Sequence, residues 1–470
     1  MVGECGNHDP EAVPGKVALR NAEKDRKATC AFADIIAAVS IAEYKRRQPT
    51  DWRHRQTCLA AVVCREAAAE HDGGAHFSVL SLGVGTKFVA PPSDEDGHEK
   101  KTDVASHDDL SRAVERGDMV RDLHAEVLAR RAFVRFLHLD ATRCLNDGRG
   151  MLFEPDSSCT RLRVREGISL HFYTSSVPCG NASVKRWAKG GQGPEARLAE
   201  GLPDDVPPPH GHAKCHFHAR TEGQVCFLKK CAARACDASM WPAGTRPFDG
   251  SWPTCRSIHN SLLTCSDKLA MWNVLGLQGG PLLEIMPPVF VATCTVGRKF
   301  SAAHCARAFC CRFQEFTPAK VQGLPELFGI HHVAVLGCAT KFDDGVYEGD
   351  RTGADFSETR CFTWTHGEEE AEVLDGRTGL TAAGGVPRVS KSSLQSLARA
   401  WQQGNRIDSS RVAAAMWQRG RAKELLREYV QRFCVLGVVA SDKDARRQPC
   451  RSCPQRTQGG QEFVSVPPFD

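Results

Sequence analysis

A chain of 470 residues with 41% hydrophobic and 25% charged residues has ample apolar material for a large buried core, which excludes a disordered or fibrous class. The formal net charge of +5 does not demand a nucleic-acid partner but is compatible with one. No apolar run approaches the ~20 residues of a membrane span, and Met1 to Asp9 carries Glu, His and Asp where a secretory leader needs a basic then an apolar stretch. The expectation is therefore an intracellular chain, cytoplasmic and/or nuclear, without a membrane partner. Its 22 cysteines then read mostly as small core hydrophobes with a few metal-ligand thiols.

Residues 1–30 mix Gly, Pro and charge without periodicity and read as a loose arm. The apolar spacing of Phe32 to Val39 predicts a first helix, and the branched run Leu59 to Val63 a buried strand. Ser78 to Val89 reads as strand, glycine-permitted turn and second strand, with Thr86 and Lys87 at the turn's exit; residues 91–109 read as a surface loop. From Asp122 to about Leu137 a helix is predicted, with Leu123, Val127, Val134 and Leu137 on one face and Arg130 and Arg131 interrupting it. Ile168 to Thr174 predicts a strand that delivers Pro178-Cys179 at its end.

Residues 188–255 break this pattern. They hold Pro207-Pro208-Pro209 and His210, His212, Cys215, His216, His218, Cys226, Cys231 and Cys236, a Cys/His-rich insertion whose spacing matches no zinc finger. Order returns at Leu262 to Gly279, where Ser266 is a candidate cap for a helix whose apolar face is Leu269, Trp272 and Leu275. Pro288 to Cys294 and His332 to Leu336 predict strands; Ser301 to Phe313, Leu394 to Gln403 and about Arg411 to Phe433 predict helices. The organisation expected is one large α/β domain in two parts, 31–187 and 256–445, separated by the insertion and followed by a polar tail, 446–470, with Cys450 and Cys453 as a lone C-x-x-C.

Chemistry concentrates in two short pieces. His124 and Glu126 form an H-x-E, the arrangement in which an imidazole binds zinc and a carboxylate shuttles the proton of a metal-activated water. Pro178-Cys179-Gly180 supplies only the first half of the P-C-x-x-C that usually accompanies it, because Ala182 stands at the second Cys position. A catalytic zinc needs three protein ligands and one open position, so a third ligand has to come from elsewhere. Cys265, placed just before a predicted helix where the dipole favours a thiolate, is a candidate. Taken alone, each piece also fits a surface pair or a plain turn.

Four pieces in order, Leu82-Gly-Val-Gly-Thr-Lys87, Asp122-Leu-His-Ala-Glu-Val-Leu-Ala-Arg-Arg131, Ser176-Val-Pro-Cys-Gly180 and Cys265-Ser-Asp-Lys-Leu-Ala-Met-Trp-Asn-Val-Leu-Gly-Leu-Gln-Gly279, resemble the adenosine-deaminase domain of tRNA-specific adenosine deaminases and the adenosine deaminases acting on RNA. The resemblance spans roughly residues 32 to 440 outside the insertion. It implies a cytidine-deaminase-like mixed sheet flanked by helices and elaborated with C-terminal helices. It implies Zn2+ on His124, Cys179 and Cys265, Glu126 as the catalytic acid/base, and Thr86 and Lys87 as contacts to the flipped nucleotide. It also implies an inositol hexakisphosphate buried in the core, lined by Arg130, Arg131, Lys268, Trp272, Gln278 and Lys391, with Arg411, Trp417 and Arg421 as looser matches. Met271 departs from the Arg that the family usually has, and Asn181 from its Asp. With only about thirty residues before the deaminase region, the tRNA-acting branch is expected: conversion of the adenosine immediately 3′ of the anticodon to inosine, with tRNA as partner and no DNA. A deaminase of another RNA (mRNA adenosine or cytosine) and a silent RNA-binding scaffold that retains zinc are the alternatives, and the oligomeric state stays open, a monomer included.

Overall fold

A computed structural model of the chain describes residues 14–52, 57–67, 75–88, 107–156, 161–179, 182, 216–219, 227–230, 262–344, 360–405, 407–435, 455–458 and 461–464. The framework is a seven-stranded mixed sheet. Its strands are β1 (Leu59–Glu66), β2 (His76–Val84), β7 (Ile168–Ser176), β11 (Thr293–Arg298), β12 (Ala334–Gly337), β13 (Arg360–Thr365) and β14 (Glu372–Asp375), in the order β12-β11-β7-β1-β2-β13-β14. β11 runs parallel to β7 and β12, and β1, β2 and β13 pair antiparallel. Short strands β3 (Thr86–Phe88) and β4 (Asp122–His124) pair with each other, as do β5 (Phe153–Pro155) and β6 (Leu162–Val164).

The two-residue period of β1 divides the core. Ala60, Val62 and Cys64 pack on one face with helix α3 (Ala125–Asp147), while Leu59, Ala61 and Val63 pack on the other with α1 (Pro14–Arg47). Both faces being covered is why this strand reads as a continuous apolar run rather than an alternating one. Each large side chain fully buried here, such as Phe133 or Phe172, is worth about 1.5–3 kcal/mol of apolar transfer. α3 is covered on a second side too, where Leu128 and Ala132 meet Met119, Val120, Leu374 and Val389. Gly83 permits the close approach of sheet and helix: a Cβ there would lie 2.3 Å from the backbone of both Ala125 and Ala129.

Helix α2 (His107–Arg116) precedes β4. Beyond the insertion come α4 (Cys265–Leu275), α5 (Ala302–Phe309), α6 (Lys391–Gly404) and α7 (Ser409–Val435). α7 buries Ala415, Ala422, Leu425 and Leu426 against Phe313, Phe316 and Phe328. Trp401 of α6 donates its indole N–H to His138 of α3 at 2.9 Å. No helix among the described residues is long and apolar enough to cross a membrane.

Several sequence expectations need correction. Residues 14–30, expected as part of a loose arm, are the N-terminal half of α1. Asp122–His124 is strand rather than helix, because it pairs with β3 and the helix begins only at Ala125. Pro288 to Ala292 forms no ladder: Val289 N–H donates to the Gln278 side chain and Ala292 N–H to Leu170, so β11 starts at Thr293. Within the insertion, β8 (His216–Ala219) pairs with β9 (Phe227–Lys230) and with β10 (Leu262–Leu263), although no strand was expected there. The side chains of His216 and His218 and the other candidate ligands of the insertion lie outside the described residues, as do Cys450 and Cys453 beside the hairpin of β15 (Gln455–Gln458) and β16 (Gln461–Val464).

Candidate active site

Three elements meet at the mouth of the sheet. β4 ends in His124, which adopts an extended backbone (φ −66°, ψ 143°) and caps α3, placing Glu126 in the first helical turn. β7 runs out into Val177-Pro178-Cys179, and α4 begins at Cys265. The ligand atoms of His124, Cys179 and Cys265 lie within 4.8 Å of one another. A sequence separation of 141 positions thus collapses to a single metal-sized volume.

The junction of the last two elements is fixed by Ser266. Its backbone N–H donates to the Cys179 carbonyl at 2.9 Å, its hydroxyl donates to the Pro178 carbonyl at 3.1 Å, and the same oxygen accepts from Ala182 N–H at 3.1 Å. Sequence reasoning gave Ser266 the role of helix cap. The cap is instead Thr264, whose hydroxyl accepts from Asp267 N–H, so Cys265 is already the first helical residue. Its N–H points at the Cys179 sulfur, 3.4 Å away, which favours the Cys179 thiolate.

Asp122 organises the imidazole. One carboxylate oxygen lies 2.7 Å from His124 Nδ1 and the other pairs with the Lys268 ammonium. Burial works to raise this carboxyl, but Lys268 and His124 together hold it well below the usual carboxylate range. An ionised carboxylate only accepts, so Nδ1 carries the proton and Nε2 is left with its lone pair for a metal. Burial would depress His124, yet Asp122 carries it up to about 9 in the metal-free protein. Glu126 is buried, and burial followed by the neighbouring Cys179 raises its carboxyl. Cys265 is likewise pushed up, by burial and then by Cys179, so its thiolate needs a cation beside it.

Thr86 lies directly across from His124 in the β3–β4 pair, and Lys87 across from Leu123; the Lys87 side chain lies outside the described residues. The Gly85 carbonyl accepts from Ala125 N–H at 3.0 Å, and a Cβ at Gly85 would lie 2.3 Å from the Leu123 carbonyl. This close approach is the physical content of the Gly-x-Gly preceding Thr86. Sequence reasoning missed Cys58, whose thiol is pushed up to about 12 by burial and then by Glu126 and Cys179, which marks it as a neighbour of the site. Nothing distinguishes it in sequence from the other cysteines.

The residues expected around a polyanion separate into two sets. Arg130 lies over the Trp272 ring at 5.6 Å and donates to the carbonyls of Leu277 and Gln278. Burial, then Arg419 and Arg131, depress it to about 9, and burial depresses Arg131 to about 10. Arg419, which sequence reasoning missed, is half-buried, with its Nε shielded from solvent and unpartnered among the described residues. In the second set the side chains have other partners or are exposed. Lys268 pairs with Asp122; the Gln278 amide is closed on Leu275 and Val289; Lys391 and Trp417 are exposed; Arg411 pairs with Glu284 and Arg421 with Glu424.

A family model described as "Adenosine-deaminase (editase) domain" matches residues 103–448. Among known proteins the chain is 27% identical over 320 residues to the double-stranded RNA-specific adenosine deaminase of Mus musculus, covering 67% of this chain and 25% of that one. It is 29% identical over 288 residues to the double-stranded RNA-specific editase B2 of Mus musculus, covering 59% and 33%. To the tRNA-specific adenosine deaminase 1 of Mus musculus it is 24% identical over 392 residues, covering 66% and 73%. The chain therefore spans about a quarter to a third of the length of the double-stranded RNA relatives.

Proposed function

The chain belongs to the adenosine-deaminase (editase) domain family, and from that premise we propose that it hydrolyses adenosine in RNA to inosine and ammonia at the centre formed by His124, Cys179, Cys265 and Glu126. The observation that carries the reading is the meeting of one imidazole and two thiols from three separate elements, with the buried carboxyl of Glu126 two residues beyond the imidazole in the first turn of α3. The donor set suits Zn2+, and three protein ligands leave a tetrahedral ion one open position. When bound, the ion lowers the pKa of water towards about 7 and so provides a nucleophile at neutral pH.

The remaining chemistry falls to the protein's own groups. Glu126, with its proton affinity raised by burial, takes one proton from the attacking water and gives it to the purine ring nitrogen; it then takes the proton of the new C6 hydroxyl and gives it to the amine, which leaves as ammonia as the C6 carbonyl forms. Asp122 holds His124 in the tautomer that presents Nε2, and Lys268 keeps that carboxylate charged. A purely structural metal would need the three ligands but not Glu126, which speaks against a silent scaffold. We read Thr86 and Lys87 as contacts to the nucleotide's ribose and phosphate; in support, β3 pairs them with His124 and Leu123.

For the substrate, tRNA is the first reading, with the unpaired adenosine 3′ of the anticodon as the target, because extruding a loop base costs little. Its support is the 24% identity over 392 residues to the mouse tRNA-specific relative. The higher identities to the double-stranded RNA relatives favour duplex RNA as the second reading. Inositol hexakisphosphate fits only partly: Arg130, Arg131 and Arg419 form a half-buried cationic group in which only the charge of Asp122 acts on Arg131, whereas Lys268, Gln278, Arg411 and Arg421 have partners within the protein. Incubating the purified chain with total tRNA and with a long RNA duplex, then locating inosine by mass spectrometry, decides between the substrates. A Glu126→Ala protein with equal zinc and no inosine supports catalysis; no inosine from the wild-type chain on either RNA overturns the proposal.

A further inference from the structure

A second convergence of metal-ligand atoms lies apart from the deaminase centre. Cys310 terminates α5 with φ −144° and ψ −52°, Cys311 opens the following 3-10 turn, and His332 sits two residues before β12. Both thiols are buried and free of disulfide bonds, and His332 is half-buried. The two sulfurs are 3.6 Å apart, and all three ligand atoms lie within 4.8 Å of one another.

Neighbouring residues on an α-helix point about 100° apart around the axis, so adjacent cysteines ordinarily diverge. Here the helix breaks at Cys310, and the departure of its backbone from helical values turns both thiols to one side. A tetrahedral zinc with Zn–S bonds of about 2.3 Å holds its sulfurs about 3.8 Å apart. The observed separation is close to that value and far from the ~2.05 Å of a disulfide. Packing alone would account for two buried thiols as small apolar groups, but it gives no reason for an imidazole from another segment to meet them.

We propose that Cys310, Cys311 and His332 form a second zinc site, with its fourth position left to water, since no further Cys, His, Asp or Glu among the described residues joins the group. Sulfur and imidazole ligands select Zn2+ over Mg2+ or Ca2+. The site ties the end of α5 to the segment entering edge strand β12. That segment also supports α4: the Asn273 side chain donates to the Phe309 carbonyl at 3.0 Å, and His331 N–H donates to the Asn273 carbonyl at 2.7 Å. The metal thus braces the helix that begins at Cys265, and the assignment does not rest on the deaminase reading.

The test is metal content of the full chain, purified without chelators and measured by mass spectrometry, for wild type, Cys310→Ser/Cys311→Ser, His332→Ala, His124→Ala and the His124→Ala/His332→Ala pair. The expected result is one zinc fewer than wild type in each single-site variant and two fewer in the pair. Chelation should lower the Tm of His124→Ala protein, and that shift should vanish when His332 is also replaced. Should the serine pair fail to fold, His332→Ala, which leaves both thiols in the core, gives the same reading. Unchanged zinc content in folded His332→Ala protein overturns the assignment.

Discussion

Replacing Asp122 by Asn tests how the metal centre is held. The side chain is 7% exposed and has two partners, His124 Nδ1 at 2.7 Å and the Lys268 ammonium, itself only 16% exposed. Asn keeps the shape but removes the charge, so a buried ammonium is left uncompensated, and the single amide oxygen can accept from His124 Nδ1 or from Lys268 but not from both. Breaking a buried pair from one side costs about 3–5 kcal/mol, and losing a carboxylate behind a metal-binding His costs about 10–100-fold in metal affinity or activity. Because folding holds the Asp122 carboxyl below its unfolded value of about 3.9, its stabilisation is fully present above that pH and is lost as the pH falls through the folded value. His124 runs the other way: in metal-free protein its contribution is complete below about pH 6.5 and is lost as the pH rises through its folded value of about 9. Urea unfolding of the metal-free protein at about pH 3, 6 and 9 brackets the two windows, and chelator competition gives the zinc affinity. Adding Lys268→Met to Asp122→Asn should recover part of the stability, since it removes the stranded charge. A deficit under about 1 kcal/mol at about pH 6 together with unchanged zinc affinity would refute this account of the site.

Other perturbations read out the remaining parts. Glu126→Gln should retain zinc and the wild-type Tm while inosine formation falls about 10²–10⁴-fold, checked by metal analysis beside a single-turnover assay. Gly83→Ala places a methyl against the backbone of Ala125 and Ala129, and a loss of about 1–3 kcal/mol or more is expected in urea unfolding; an unchanged midpoint would show that sheet and helix can part there at little cost. Ser266→Ala removes the hydroxyl that joins Pro178 and Ala182 to α4. It should cost about 1–3 kcal/mol and weaken zinc binding more than the same change at exposed Ser396, as measured by competition titration.

Much of this molecule follows from local pattern. The central strands announce themselves as short branched runs, and Ala60/Val62 against Leu59/Ala61 shows why no alternation was visible: both faces are buried. His124, Glu126, Cys179 and Cys265 were nameable because their residue types and surroundings carry the chemistry and the resemblance. β13 and β14, the extension of α1 back to Pro14 and the strand character of Asp122–His124 were not legible, since each depends on what lies alongside. The same holds for Lys268 and Arg419. A lysine next to a zinc-ligand motif looks like a phosphate contact until Asp122 is seen against it, and an arginine on a polar helix looks solvated until the fold shields its Nε. Sequence by itself determined which groups could bind metal and move a proton, because that is a property of side-chain chemistry. Only the tertiary structure decided which charges neutralise one another, because that depends on distances between segments 146 positions apart, as for Asp122 and Lys268, that no local pattern encodes.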